Sequence, residues 1–379
     1  MSLFDRRKTP LGLYLSDISL KMIQFAKKPG GFSVQAYSDT KIPKGAVAGD
    51  TFSDPKLLSK TIRDAAANPK FGKITTPYVI ASVPETKSFV RVIQMPSMSE
   101  KEAEEAVPWE AEAYVPLPIG QVYLDWVILY HGQSASQGGS EEGKMTVLIT
   151  ACSKDYIDQF VSVIKEAKLI PLALEVESQA TARSLVSGNV MDETILIADI
   201  DTLRTSLIIF DKGILQFTSS VPIAGNLFTE ELAKGLSLDM DAAEKLKRQS
   251  GLEDTGSPSA REAGRGAVRK TLIPVLNHLV DEIINTIRFY EEHSASGGKI
   301  SRLLLSGGSS KLKHLPSFLH ENLIHRLSNE HPLRSLPGLK VELGNPWGKI
   351  LGQGQVPPLS REDSLSYATA IGLALREVE

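Results

Sequence analysis

Three short stretches carry side chains that could hold an anion. GLYLSDISLK, residues 12–21, sets Ser16, Asp17 and Ser19 between apolar residues, with Lys21 just beyond them. Such a strand–turn–strand either joins two strands or forms half of a phosphate cradle. RLLLSGGSSKL, residues 302–312, runs from an apolar stretch into Gly307, Gly308 and Ser309, with helical sequence behind. Two glycines permit a sharp turn and close ligand approach, and a helix N-terminus offers N–H groups that favour negative charge. AEKLK, residues 243–247, places Glu244 and Lys247 three positions apart on one helix face. The plain reading of that pair is an exposed ion pair worth about a few tenths of a kcal/mol.

The elements that must position these residues occur twice. LGLYL (11–15), a polar turn, LKMIQF (20–25), a Gly-bearing turn and FSVQAY (32–37) are echoed later in the chain. The echo is TILIA (194–198), the turn DIDTLR (199–204), TSLIIF (205–210), Asp-Lys-Gly and ILQFT (214–218). Each copy reads as a three-stranded meander whose second turn carries glycine, and helical sequence follows at 54–68 and 229–236. A repeat of this kind implies two pseudo-symmetric α/β lobes.

Between the copies, strands are expected over 76–84 and 89–96, each ended by proline. Ser99 followed by Glu102 is a capping signature for a helix. Pro108 should break or kink that helix by clashing with the carbonyl of Glu104. A strand over 122–130, a Gly/Ser linker over 132–143, a strand over 145–153 and a helix over 154–169 follow, the last apolar at Ile157, Phe160, Val161 and Ile164. The second half adds helices over 240–250 and 275–293, separated by a loop over 253–266. The Arg and Lys of 261–270 then lie on a solvated loop face, and an amphipathic helix over 364–378 ends the chain.

The 379 residues carry a net charge of −3, which disfavours a nucleic-acid binder. The one cysteine, Cys152, forbids an intrachain disulfide, fits a reducing compartment and reads as a buried strand position. No apolar run reaches the roughly 18–20 residues of a spanning helix, and MSLFDRRKTP is not a secretion signal. A soluble cytoplasmic chain is expected, reaching a membrane only through a partner. His314, His320, His325 and His331 lack the spacing of a helix-face metal pair. Trp109 and Tyr114, beside Pro116, either line a partner groove or pack an inserted subdomain.

The order of these parts (two phosphate-type turns, the Glu244–Lys247 helix, then strand–Gly-Gly–helix) resembles the actin-like ATPase superfamily. The segment inserted in the first half resembles that of the cell-division protein FtsA. VPETKSFVRVIQMPSMSEKEAEEAVPWEAEAYVPLP, AKLIPLALEVESQATARSL, IAGNLFTEELAKGLSLDMDAAEKLKRQ, LLLSGGSSKL and YATAIGLALRE resemble the PilM family of type IV pilus assembly proteins, over about 10–377. The resemblance implies an α/β, actin-like ATPase (ribonuclease H-like) fold with two lobes and an FtsA-type inserted subdomain 1C. Lobe 1 (1A) would take 1–85, about 170–190 and the helix 364–379, with 86–169 as 1C. Lobe 2 (2A) would take 191–230 and 300–363, with 231–299 as its insert 2B.

By the same resemblance, nucleotide would contact Ser16, Lys21, Asp199, Thr202, Gly225, Glu244, Lys247, Gly307, Gly308 and Ser309. The family's Asp-x-Gly in the first turn is replaced here by Tyr14 and Ser16, and the second turn keeps Asp199 but has Asp201 for glycine. Tyr14 removes a carboxylate for hydrated Mg2+, and Asp201 sets a negative charge against phosphate oxygens. A side chain at a left-handed glycine position would add about 1–2 kcal/mol. Binding of ATP or ADP with Mg2+ is therefore expected to be weakened or lost.

The implied function is a scaffold of the inner-membrane pilus platform, peripheral at the membrane's inner face. It would grip the cytoplasmic tail of a PilN-like protein in a groove involving lobe 1 and its inserted subdomain. Contacts with other platform proteins and self-association are left open. The alternative is an ATP-binding switch or ATPase of the same fold, serving pilus assembly or type II secretion. A small-molecule kinase is disfavoured because no acid stands out as a substrate base.

Overall fold

The computed structural model describes residues 9–29, 31–49, 51–131, 143–186, 193–253, 260–294, 298–330, 338–351 and 357–376. The expected linker over 132–143 lies, except for Gly143, outside them. Contacts divide the chain into two units: Met1–Ala26, Val34–Glu177 and Arg376–Glu379 form the first, Lys27–Ser33 and Ser178–Leu375 the second.

The first unit opens with the expected meander, β1 (Leu11–Leu15), β2 (Ser19–Lys28) and β3 (Gly31–Lys41). The short pair β4 (Val47–Ala48) and β5 (Thr51–Phe52) leads to helix α1 (Pro55–Ala67), whose N-terminus is capped by the Asp54 carboxylate accepting from Leu57 N–H. Then come β6 (Phe71–Gly72), β7 (Tyr78–Val83), β8 (Ser88–Pro96), α2 (Glu100–Glu112), β9 (Val122–His131), β10 (Lys144–Ser153), α3 (Lys154–Glu166) and β11 (Ile170–Val176). Six strands form one sheet in the order β11-β7-β1-β2-β3-β6, with β1 antiparallel to β2 and parallel to β7. All five residues of β1 are buried, as the unbroken apolar run of a doubly covered central strand requires. Leu58 and Ile62 of α1 and Phe160, Val163 and Ile164 of α3 pack with Leu11 and Leu13. Ile157 and Val161, expected in that stripe, are only half-buried.

A second sheet, β8-β10-β9, encloses a core of its own with α2, in which Ile93, Val147 and Ile149 meet Ala103, Val107 and Ala111. The capping box at the start of α2 is present in full: Ser99 Oγ accepts from Glu102 N–H, and the Glu102 carboxylate accepts from Ser99 N–H. Pro108 does not break α2, which runs four residues past it to Glu112. The three small or apolar buried residues, Ala103, Val107 and Ala111, repeat every fourth position, and their packing holds the helix through the one hydrogen bond that proline removes. Cys152 is buried on β10, where burial, with the nearby Glu85 charge, pushes its thiol up to about 12.

The second unit begins with α4 (Glu177–Leu185) and the second meander, β12 (Thr194–Ile200), β13 (Thr205–Asp211) and β14 (Ile214–Val221). Lys212 and Gly213, at φ of 50° and 81°, supply the left-handed pair that a tight two-residue hairpin requires. Helices α5 (Gly225–Leu236), α6 (Met240–Ser250) and α7 (Ala260–His293) follow, then β15 (Ile300–Ser306), α8 (Leu315–Glu330), β16 (Lys340–Leu343), α9 (Arg361–Ser364) and α10 (Ala368–Leu375). The sheet order is β14-β13-β12-β15-β16, with β12 antiparallel to β13 and parallel to β15. This matches β3-β2-β1-β7-β11 strand for strand, so the sequence echo is a repeat of topology.

Three expectations are corrected here. Residues 260–266 begin α7 instead of closing a loop, because the buried stripe Leu279, Leu276, Leu272 and Val268 continues toward the N-terminus past Pro274. The last helix is not amphipathic, since all eight residues of α10 are buried. Finally, the Gly-Gly turn enters a 3-10 turn at Gly308–Lys311, and the α-helix starts only at Leu315. Among the described residues no helix is long and apolar enough to cross a membrane.

Candidate functional site

Ser16 and Lys21 lie in the first unit, and the other eight candidate residues lie in the second. In the first, the β1–β2 turn closes on itself. Ser16 N–H donates to the Ser19 carbonyl at 2.9 Å, and Ser19 N–H donates to Ser16 Oγ at 3.1 Å. Lys21 Nζ donates to Ser19 Oγ at 3.1 Å and stands 5.8 Å from the centroid of the Tyr14 ring. Tyr14 and Lys21 are cross-strand partners, so the tyrosine and the lysine stand side by side on the hairpin. Asp17 accepts from Gly49 N–H at 3.2 Å. No residue of this turn has positive φ, nor has Asp201, so the strain expected from side chains at these positions is not incurred.

In the second unit Thr202, Gly225, Glu244, Lys247 and Ser309 form one connected network with Gly225 at its centre, whereas Gly308 has nothing closer than 3.9 Å to where a Cβ would stand. Gly225 N–H donates to the Asp201 carbonyl at 3.0 Å, and the Gly225 carbonyl accepts from Lys247 Nζ at 2.7 Å. Asn226 N–H donates to the Thr202 carbonyl at 2.8 Å, so the first two N–H groups of α5 are engaged by the second turn. Ser309 Oγ donates to the same Asp201 carbonyl at 2.9 Å. Asp199 pairs in register with Ser306 of β15, next to Gly307. Gly307 needs its glycine: φ is 83°, and a Cβ there would lie 2.5 Å from the carbonyl carbon of Ile200. Its N–H donates to the Leu365 carbonyl at 3.2 Å, which ties the turn to the chain's last helical segment.

Glu244 and Lys247 are not the exposed pair that their spacing alone allows. Lys247 is only 8% exposed, and its ammonium meets Glu244 at 2.6 Å, the Gly225 carbonyl at 2.7 Å and Thr229 Oγ1 at 2.7 Å. Those three acceptors match the three protons of an ammonium. The Thr229 hydroxyl in turn donates to Glu244 at 2.6 Å, and Arg248 donates to the other carboxylate oxygen at 2.6 Å. Burial pushes the Glu244 carboxyl up, but the bonds from Lys247, Thr229 and Arg248 outweigh it and hold the group at about 2. Burial in turn draws the Lys247 ammonium below its ordinary value.

Asn226, Thr229, Arg248 and Leu365 are members of this network that sequence reasoning missed. Thr229 joins Lys247 across 18 residues, and Leu365 reaches Gly307 from a segment with no local signal. The pairing of Tyr14 with Lys21 follows from the register of the hairpin.

The sequence profile of the type IV pilus assembly protein PilM family matches residues 12–378. A solved PilM–PilN type IV pilus biogenesis complex contains a chain 26% identical to this one, with a TM-score of 0.76 over 98% of this chain and 99% of that one. MreB5 of Spiroplasma citri bound to AMPPNP has a TM-score of 0.52 at 12% identity, over 98% of this chain and 97% of that one, which shows the shared actin-like fold. FtsA of Pseudomonas aeruginosa is 23% identical over 53% of this chain and 50% of its own length. FtsA of Neisseria meningitidis is 22% identical over 37% of this chain, and that match spans 36% of its length. With a family match across both units and their repeated sheets, the chain belongs to the PilM family of type IV pilus assembly proteins.

Proposed function

We propose that this chain is a scaffold at the inner face of the inner membrane that grips the cytoplasmic N-terminal tail of a PilN-like protein. The observation that carries this reading is the match to the chain solved as a PilM–PilN complex, at 26% identity over nearly its full length. The first unit supplies a fitting receptor, a cavity of about 390 Å³ lined by Phe52, Phe89, Val115, Pro116, Leu117 and Tyr156. Phe52 stacks on Tyr156 at 5.0 Å, and Tyr156, Phe89, Val115, Pro116 and Leu117 all belong to the proposed subdomain 1C, 86–169. Lys87 and Asp155 stand among the lining residues, so apolar side chains of an extended tail would enter with polar groups available to its backbone.

Calorimetric titration of the full chain with a synthetic N-terminal peptide of the PilN-like protein from the same genome tests this. Binding is expected, and Leu117→Glu, at a 41% exposed wall position, should weaken it about tenfold or more without altering the circular dichroism spectrum. A peptide that fails to bind wild-type protein would overturn the reading.

The nucleotide site is proposed to be degenerate. The support is chemical: Tyr14 offers no carboxylate to a hydrated cation, the amides at Ser16, Ser19, Gly225 and Asn226 already have acceptors, and all three Lys247 protons are engaged. A phosphate group bound at either turn would have to displace the bonds made there. The second reading, a nucleotide-gated switch, is favoured by the fold shared with MreB5 bound to AMPPNP. Titration with ATP and ADP, with and without Mg2+, separates the two. The degenerate site predicts no micromolar binding, and micromolar Mg-ATP affinity with turnover would establish the switch.

A further inference from the structure

Helix α2 carries a surface feature that neither its own core nor the tail-binding cavity accounts for. Trp109 is 77% exposed, more than any other large apolar side chain among the described residues. It occupies one helical stripe with Glu102, Glu105 and Glu112, at relative positions 0, 3, 7 and 10. The helix as a whole holds six glutamates against one lysine, while its opposite face, Ala103, Val107 and Ala111, is buried against the sheet. Glu105 and Glu112 are exposed, one turn to either side of the indole.

An indole face flanked by carboxylates is a receptor for a guanidinium or ammonium group. The ring attracts the cation while the acids pair with it, and tryptophan is the strongest of the aromatic partners. The same chemistry occurs inside this subdomain, where the Arg91 guanidinium lies 4.5 Å from the centroid of the Tyr114 ring. The sign of the charge excludes anionic lipid headgroups and nucleic acids as occupants, since both would be repelled.

We infer that the Trp109 face of α2 is a second docking surface, which receives the Lys/Arg-bearing juxtamembrane segment of the membrane partner. Cytoplasmic residues next to a membrane helix carry an excess of Lys and Arg, so the stretch between a docked tail and the bilayer has the complementary charge. This inference rests on the proposed tail docking and deepens it. The cavity takes the tail's apolar residues, and α2 takes the basic residues that follow.

The test uses the full chain and two synthetic peptides, the partner's N-terminal tail alone and the tail extended through its native basic juxtamembrane residues. The extended peptide should bind about tenfold more tightly in low salt, and the advantage should shrink as ionic strength rises. Trp109→Ala and the double change Glu105→Gln, Glu112→Gln should each abolish that advantage while leaving affinity for the short tail unchanged. Equal affinity of both peptides for wild-type protein, or an advantage that survives both variants, would overturn the inference. If the short tail does not bind at all, the tail-docking reading fails by itself. An Arg-Ser repeat peptide then still reports on α2, by protecting wild-type tryptophan fluorescence from acrylamide but not that of Trp109→Ala. A repeat peptide that gives no protection overturns the inference in that case too.

Discussion

Lys247→Met destabilises the second unit by about 3 kcal/mol, the cost of removing one partner from a buried, hydrogen-bonded ion pair. For a unit of this size the thermal midpoint falls by roughly 6–12 °C. The loss is large because the ammonium satisfies three acceptors at once: the Glu244 carboxylate, the Gly225 carbonyl and Thr229 Oγ1. Methionine fills the volume but leaves all three without their donor. Adding Glu244→Leu to Lys247→Met should recover part of the stability, because an apolar pair does not strand a carboxylate.

Acid exposes the same linkage. Glu244 is held at about 2, below its ordinary 4.5, so its contribution is complete above about 4.5 and fades as the pH falls toward 2. Wild-type protein should therefore lose more stability than the Lys247→Met variant between those pH values. Urea titrations at pH 6 and pH 3 measure the difference. Equal acid dependence in the two proteins would mean that the pair contributes nothing.

Gly372→Ala has the second large effect. A Cβ at this position would lie 2.5 Å from the carbonyl carbon of Ala180 and nearer still to its oxygen. The obstacle is the backbone of α4, which cannot rotate away as a side chain can, so α10 and α4 must separate. Both helices are locked by other contacts: Thr181 and Thr369 hydroxyls meet at 2.9 Å, and Arg183 donates to the Gly372 carbonyl at 3.0 Å. A loss of about 3 kcal/mol or more is expected, at the upper end for overpacking. Gly308→Ala is the matched control. Its Cβ would meet nothing closer than 3.9 Å, so the thermal midpoint should stay within about 1 °C of wild type. Equal stability of the two variants would refute the close packing of α10 on α4.

The contrast between these residues shows what the sequence could reveal. Both meanders were legible because a strand–turn–strand is written locally, in apolar alternation and a Gly-bearing turn. The Ser99–Glu102 cap was legible for the same reason. The spacing of Glu244 and Lys247 announced their contact but not their burial, which depends on Gly225 and Thr229, 22 and 18 residues from Lys247. Pro108 was misjudged because a local rule about proline is overridden by a helix face packed at Ala103, Val107 and Ala111. The early start of α7 was hidden by the two glycines near its beginning, and the all-round burial of α10 by the absence of any local sign of what would cover its outer side. The first turn was half visible: its strand–turn–strand could be read, whereas the pairing of Tyr14 with Lys21 needed a register.

The single thiol offers a practical advantage for work on this protein. Burial, with the nearby Glu85 charge, raises the Cys152 thiol to about 12, so it stays protonated at neutral pH, and the sulfur is buried besides. The native thiol is thus expected to react slowly with maleimides and iodoacetamides. A reporter dye or crosslinker can be placed at an engineered surface cysteine, beside Trp109 or at the rim of the cavity lined by Phe52 and Leu117, without first removing the native one.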